Sequence, residues 1–167
     1  KLEYVHYIDA ATAEFIEQAV HHQGAFTRRS GADIEWIIHH PWILSAPVND
    51  HIAQRYHFTA VEPHFSFVPL KVMNKANELI AFLLFARRND HLKLPYLYYR
   101  EDALQEVVHV ISYHIRLWRV SMFTTFHADL TKALWQTKTP AFHKRGQQRE
   151  YLMAKAFDDK LSRIREI

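Results

Sequence analysis

The chain contains no cysteine and only three glycines. No apolar run approaches the roughly 18 residues of a membrane-spanning helix. Without cysteine there are no disulfides, no thiolate nucleophile and no cysteine-ligated zinc, which fits a reducing compartment. No signal peptide is visible, so a cytoplasmic location is expected. So few glycines handicap any function built on a glycine-rich phosphate cradle. Neither a P-loop nor a Gly-x-Ser-x-Gly elbow occurs, and there is no His-Glu-x-x-His pattern.

What is present suits one ordinary globular domain. A length of 167 residues with 49% hydrophobic and 23% charged content supports a sizeable core and does not indicate disorder. The first residue is Lys1 rather than methionine, which fits a piece excised from something longer, such as one half of a two-domain protein. Net charge is only +3, but from Lys138 to Arg165 the basic residues outnumber Glu150, Asp158 and Asp159. That imbalance reads as a solvated basic face, with attraction for an acidic ligand as the sharper alternative.

The organising stretch runs from Glu78 to Trp118. Leu79 to Phe85 is continuously apolar, the pattern of a strand buried on both faces. Asn89-Asp90 supplies turn residues that tolerate the left-handed region. The chain then alternates through Leu92, Leu94, Tyr96 and Tyr98. The period next becomes helical, with Leu104, Val107, Val108, Ile111, Ile115 and Trp118 on one face. Asp102 and Gln105 form a capping-box pattern at its start. The junction Tyr99-Arg100-Glu101-Asp102-Ala103 thus joins a strand end to a helix N-terminus, the usual place for an anion or cofactor.

Before this stretch, Lys1–Ile8 reads as a weak strand. A helix capped by Asp9 follows to about His22, with Phe15, Ile16, Ala19 and Val20 on its apolar side, and Gly24 ends it. A shorter helix begins at a Ser30-x-x-Asp33 capping box, carries Ile34, Ile37 and Ile38, and stops at Pro41. Trp42–Glu62 reads as an irregular connection. His64–Met73 is a strand in which Pro69 implies an edge or a bulge. After the long helix come a strand over Val120–Phe126, a brief helix around Leu130–Leu134 broken by Thr139-Pro140, a closing strand over Gln148–Phe157, and a short helical tail at Leu161 and Ile164. The expected fold is α/β, a mixed β-sheet flanked by helices in the order β-α-α-β-β-β-α-β-α-β. Its consecutive strands imply hairpins and its later β-α-β unit a right-handed crossover.

That order, with a strand-to-long-helix junction at its centre, resembles the GNAT superfamily of acyl-CoA-dependent N-acyltransferases. The likeness covers almost the whole chain and rests on topology. It implies a GNAT-like sheet whose fourth strand splays from the fifth, with the pantetheine arm of acyl-CoA in the gap. It also implies a pyrophosphate held by backbone N–H groups at the start of the following helix, within a Gln/Arg-x-x-Gly-x-Gly/Ala signature. On this chain the matching window is Arg100-Glu101-Asp102-Ala103-Leu104-Gln105. The implied cofactor-binding residues are Tyr98, Tyr99, Arg100, Ala103 and Leu104, with acetyl-CoA or another acyl-CoA as cofactor and an amine as substrate. Arg100 fits the signature. Ala103 and Gln105 stand where small residues belong, and Glu101 and Asp102 place carboxylates where phosphates would sit. The tyrosine that many members use as general acid is matched in position by Trp135, which cannot ionise.

Two functional readings follow. In the first, the chain is an acyl-CoA N-acyltransferase-like domain with weakened or lost catalysis. In the second, it is a non-catalytic binding or oligomerisation module using the aromatic hairpin 78–99, with Tyr98, Tyr99 or Trp135 filling the space behind the junction and a second copy or companion domain as partner. Tyr96, Tyr98 and Tyr99 beside Arg100, with Arg87-Arg88 nearby, could stack on bases or sugars. An aromatic strand is more often core, so nucleic acid is not the expected partner. No membrane partner is expected. The thirteen histidines suggest a metal, but His21-His22 and His39-His40 are adjacent pairs that point to different sides of a helix, and His109 and His114 are off-register for one face. Glu35 beside Trp36 could be a carboxylate raised in pKa by its apolar neighbour, though on a short helix such a residue is more often a solvated side chain. Glu78 matches a strand carboxylate that assists amine deprotonation in GNAT-like enzymes, or simply supplies turn polarity.

Overall fold

The computed structural model describes residues 1–23, 29–48, 60–137 and 143–146. The expected closing strand 148–157, the helical tail and the breaks at Gly24 and Thr139-Pro140 lie outside the described residues. Within them the chain is α/β, a mostly antiparallel sheet covered by helices on both faces.

β1 (Leu2–Tyr4) leads to α1 (Ala10–Gln23) and α2 (Gly31–His39). Asp9 caps α1, its carboxylate accepting Thr12 N–H at 2.9 Å and the Thr12 hydroxyl at 2.5 Å. The Ser30/Asp33 capping box forms at the start of α2, and Pro41 lies just past its end. Two strands come next that the sequence did not suggest, β2 (Ile43–Ser45) and β3 (Ala60–Glu62), which pair in parallel as a separate small sheet. They fall inside the stretch expected to be irregular.

The main sheet is completed by β4 (Phe65–Met73), β5 (Leu79–Arg88), β6 (His91–Tyr99) and β7 (Met122–Thr125). Its strand order is β1-β4-β5-β6-β7. All neighbours are antiparallel except β6 and β7, which run parallel. The long α3 (Leu104–Leu117) makes the crossover between those two, and α4 (Ala128–Gln136) follows β7. Asn89 turns the β5–β6 hairpin at φ 55°. Its side chain accepts His64 N–H and donates to Glu62, tying the hairpin to β3. Pro69 sits where β1 has run out; its carbonyl accepts Val5 N–H, and the N–H it lacks would lie on that same side, away from the ladder with β5. The sheet's irregularity at this end lies instead between Val72 and Met73.

From Ala81 to Phe85, β5 divides two cores by alternation. Phe82 and Leu84 join Ile16, Ala19 and Ile34 under α1 and α2. Leu83 and Phe85 join Leu92, Val107, Ile111 and Leu130 under α3 and α4. Of the apolar face expected of the long helix, Val107, Val108, Ile111 and Ile115 are buried and Leu104 and Trp118 half-buried, with Val110 and His114 buried in addition. His114 is wholly buried. Its Nδ1 donates to the Val110 carbonyl at 2.6 Å, and its Nε2 accepts from the Tyr4 hydroxyl at 2.7 Å.

The start of the long helix departs from expectation. Glu101–Ala103 form a single 3-10 turn, the residue at the cap position of α3 is Ala103, and neither makes a side-chain cap bond. Asp102 is drawn aside by Arg100, whose guanidinium donates to it at 3.2 Å. The expected capping box with Gln105 therefore does not form.

Candidate functional site

β6 and β7 pair over only four positions, from His91 opposite Met122 to Leu94 opposite Thr125. The next residue of β6 is Pro95, which has no N–H to offer a neighbour. β6 continues to Tyr99, while β7 ends and the chain turns through Phe126 and His127 into α4. The two strands thus part company toward the junction. There a cavity of about 800 Å³ opens, walled by Phe15 and Ala19 of α1, Leu104 of α3, Tyr99, and Asp129 of α4.

Among the described residues this cavity is lined by more carboxylates than cations. Arg100, Glu101, Asp102 and Asp129 all line it. The guanidinium of Arg100 is already engaged, at 3.2 Å from Asp102 and 3.6 Å from Glu78. Glu78 is otherwise held in its turn, its N–H on the Asn74 side chain. An incoming phosphate would meet a neutralised arginine and further uncompensated carboxylates.

The five residues expected at a cofactor site are not all brought together. Tyr99, Arg100 and Leu104 line the cavity. Tyr98 does not, because consecutive strand residues face opposite ways. It is buried against Phe82, ring centroids 6.4 Å apart, in the α1/α2 core, and that burial pushes its phenol up to about 12. Ala103 is buried as well, and its N–H is committed to the Arg100 carbonyl at 2.8 Å. The N–H groups of Glu101 and Asp102 have no hydrogen-bond acceptor among the described residues. They lie one or two positions earlier than the backbone donors the resemblance implied.

Tyr99 is held from α4 and the segment before it. Its hydroxyl donates to Asp129 at 3.4 Å, and its ring meets His127 nearly edge-on at 5.4 Å. Burial, then the Asp129 charge and hydrogen bond and the Glu101 charge, raise its phenol to about 12. At neutral pH it keeps its proton and can donate a hydrogen bond. Trp135, positional match of the family tyrosine, is 52% exposed on α4 and does not line the cavity.

His127 and Asp129 were not singled out from sequence, and Phe15 was read only as part of the apolar side of α1. They reach the junction from α1 and α4 through tertiary packing; a polar pair at the start of a predicted helix was the only local sign of the first two. Glu35 accepts Ile8 N–H at 2.5 Å and lies 3.4 Å from His39, so it fastens α2 to the segment before α1. Arg88 pairs with Glu62, and Arg87 lies over the Trp118 ring at 5.7 Å. Among the described residues no three histidine or carboxylate groups gather as a metal site. Nor is any helix among them long and apolar enough to cross a membrane.

No protein-family model matches this sequence, and no curated protein matches it. Among solved structures, a mutant of the BH1408 protein from Bacillus halodurans is similar at 10% identity and a TM-score of 0.43, with 92% of this chain and 99% of that chain covered. A likeness that loose carries no argument about this chain.

Proposed function

We propose that the chain is an acyl-CoA N-acyltransferase-like domain whose cleft persists while its grip on the cofactor has weakened. The observation that carries this reading is the open cavity of about 800 Å³ where β6 outruns its parallel partner β7. A GNAT-like cleft needs that parting of strands, a helix start beside it and free backbone donors, and the N–H groups of Glu101 and Asp102 supply the last. In an active domain, the amine nitrogen would attack the thioester carbonyl, the CoA thiolate would leave, and Tyr99 would orient a ligand from the cleft wall. The charge balance argues that binding is weak. The alternative of a binding module on the aromatic hairpin has less support, because Tyr96 and Tyr98 pack toward the α1/α2 core.

Titration calorimetry with acetyl-CoA is expected to give a dissociation constant weaker than about 100 μM, roughly 3 kcal/mol short of a micromolar binder. A low-micromolar value would sink the charge argument. The double substitution Glu101→Gly with Asp102→Ser removes two like charges and leaves Arg100 with Glu78 alone of its two partners. It is expected to tighten binding by about ten-fold, on the order of 1–2 kcal/mol at a solvent-screened site. No gain at fixed ionic strength would mean that the cleft is not a CoA cleft.

A further inference from the structure

The first turn of α4 depends on one histidine. The His127 Nδ1 accepts Leu130 N–H at 3.4 Å, and its carbonyl accepts the Thr131 N–H at 2.9 Å and the Thr131 hydroxyl at 2.8 Å. Its own N–H donates to the Thr125 hydroxyl at the end of β7. An acceptor Nδ1 places the ring proton on Nε2, and a second proton would occupy the lone pair that caps the helix. Asp129, in that same turn, forms the α4 side of the cavity and holds the Tyr99 hydroxyl.

We propose that His127 is a proton-operated latch on the cavity: a proton taken up at Nδ1 removes the α4 cap, loosens the first turn and withdraws Asp129 from Tyr99. Two effects act in the same direction. The helix loses the acceptor for one of its unpaired N–H groups. It also gains a cation at its N-terminus, where the dipole disfavours one. Asp129, held by Tyr99 in the neutral state, then has an imidazolium competing for it.

The groups facing His127 come from each side. From α4 it meets Asp129, whose charge favours the protonated ring; from β6 it meets Tyr99, which is uncharged at neutral pH. Arg100, Glu101 and Asp102 line the same cavity from the turn before α3. Burial outweighs the Asp129 charge and holds the His127 pKa below its ordinary 6.5. The cap is therefore fully present above that ordinary value and is lost as pH falls through the lower, folded one. The latch is closed at neutral pH and opens as pH falls below the ordinary histidine range. His91 and His114 are lowered by burial too, so acid weakens the whole domain. The test must be local.

Amide hydrogen exchange of Leu130 and Thr131 is compared with that of Phe82 and Leu84 in β5, at about pH 7.5 and about pH 5.5, after correction for intrinsic rates. In the wild type, the protection of the α4 pair relative to the β5 pair is expected to fall about ten-fold in acid. In His127→Asn, a cap that does not titrate, the ratio is expected to stay constant. A constant ratio in the wild type, or the same fall in the variant, overturns the latch. Ring nitrogen shifts of wild-type His127 give a second reading that does not depend on the variant folding. They are expected to show the Nε2–H tautomer at neutral pH, and the Nδ1–H tautomer would overturn the proposal.

Discussion

Replacing Ile111 with alanine is expected to destabilise the domain by about 2–5 kcal/mol. Ile111 is completely buried, at the middle of α3, in one continuous core with Leu83, Phe85, Leu92 and Val107. Removing its outer carbons forfeits their transfer energy and leaves a cavity. The sheet beneath cannot collapse into it, because β5 is held on both sides by β4 and β6. Leu117, on the same helix but 51% exposed, is the control. Leu117→Ala should stay within about 0.5 kcal/mol. Urea denaturation compares the two directly, and equal midpoints would mean that the α3 face does not carry the core. Since a domain's whole stability is about 5–15 kcal/mol, the Ile111 variant is expected to be largely unfolded wherever the wild type is marginal.

That helix was legible because its signal is dense and local. Apolar residues at helical spacing, following an alternating strand, leave few other solutions, and the same holds for the double-sided burial of Leu79–Phe85. His114 was not legible as core. Nothing local says that a histidine on the buried face will find the Val110 carbonyl and the Tyr4 hydroxyl, since the latter comes from 110 residues away. β2 and β3 escaped for a different reason. Three residues carry no periodicity, and their pairing is a parallel contact between segments separated by residues 46–59.

The junction shows where local rules conflict. Asp102 and Gln105 satisfy the capping-box pattern, yet Arg100 competes for the same carboxylate and the chain enters the helix through a 3-10 turn. The pairing of Tyr98 with Tyr99 as joint cleft residues contradicted the period-2 rule that had defined their strand. Only one of two neighbours can face the cleft, and burial beside Phe82 selects Tyr98 for the core. Arg100 lines the cavity, but its pairing with Asp102 and Glu78 was not legible. Its partner Glu78 lies across the sheet at the start of β5, next to the end of β6 only because the hairpin register brings it there. Asp129 and the α1 wall depend on helix packing, which strand and helix periods do not encode.

The second large effect is expected from Asp9→Ala, at about 2–4 kcal/mol, because it strands a buried ammonium. Lys71 points from β4 into the layer beneath α1, where its side chain is only 9% exposed and meets Asp9 at 2.5 Å. The Lys71 hydrogen bond, followed by those from Thr12, holds the Asp9 carboxyl down at about 2. The folded value lies below the ordinary one, so this stabilisation is present above about pH 4 and is lost as pH falls toward 2. Asp9 itself is 42% exposed, so water screens the pair and its Coulomb energy is modest. The cost of Asp9→Ala therefore comes chiefly from Lys71 left unpaired, with about 1 kcal/mol more from the lost α1 cap. Lys71→Met separates the two contributions, since it removes the buried charge and keeps an unbranched apolar side chain against α1. Alone it is expected to be neutral or slightly stabilising. In its presence Asp9→Ala should cost only the cap, about 1 kcal/mol. Denaturant midpoints for the four proteins close the cycle. If Asp9→Ala costs the same with and without Lys71, the ammonium is not what the carboxylate stabilises, and the short contact between α1 and β4 is incidental to the fold.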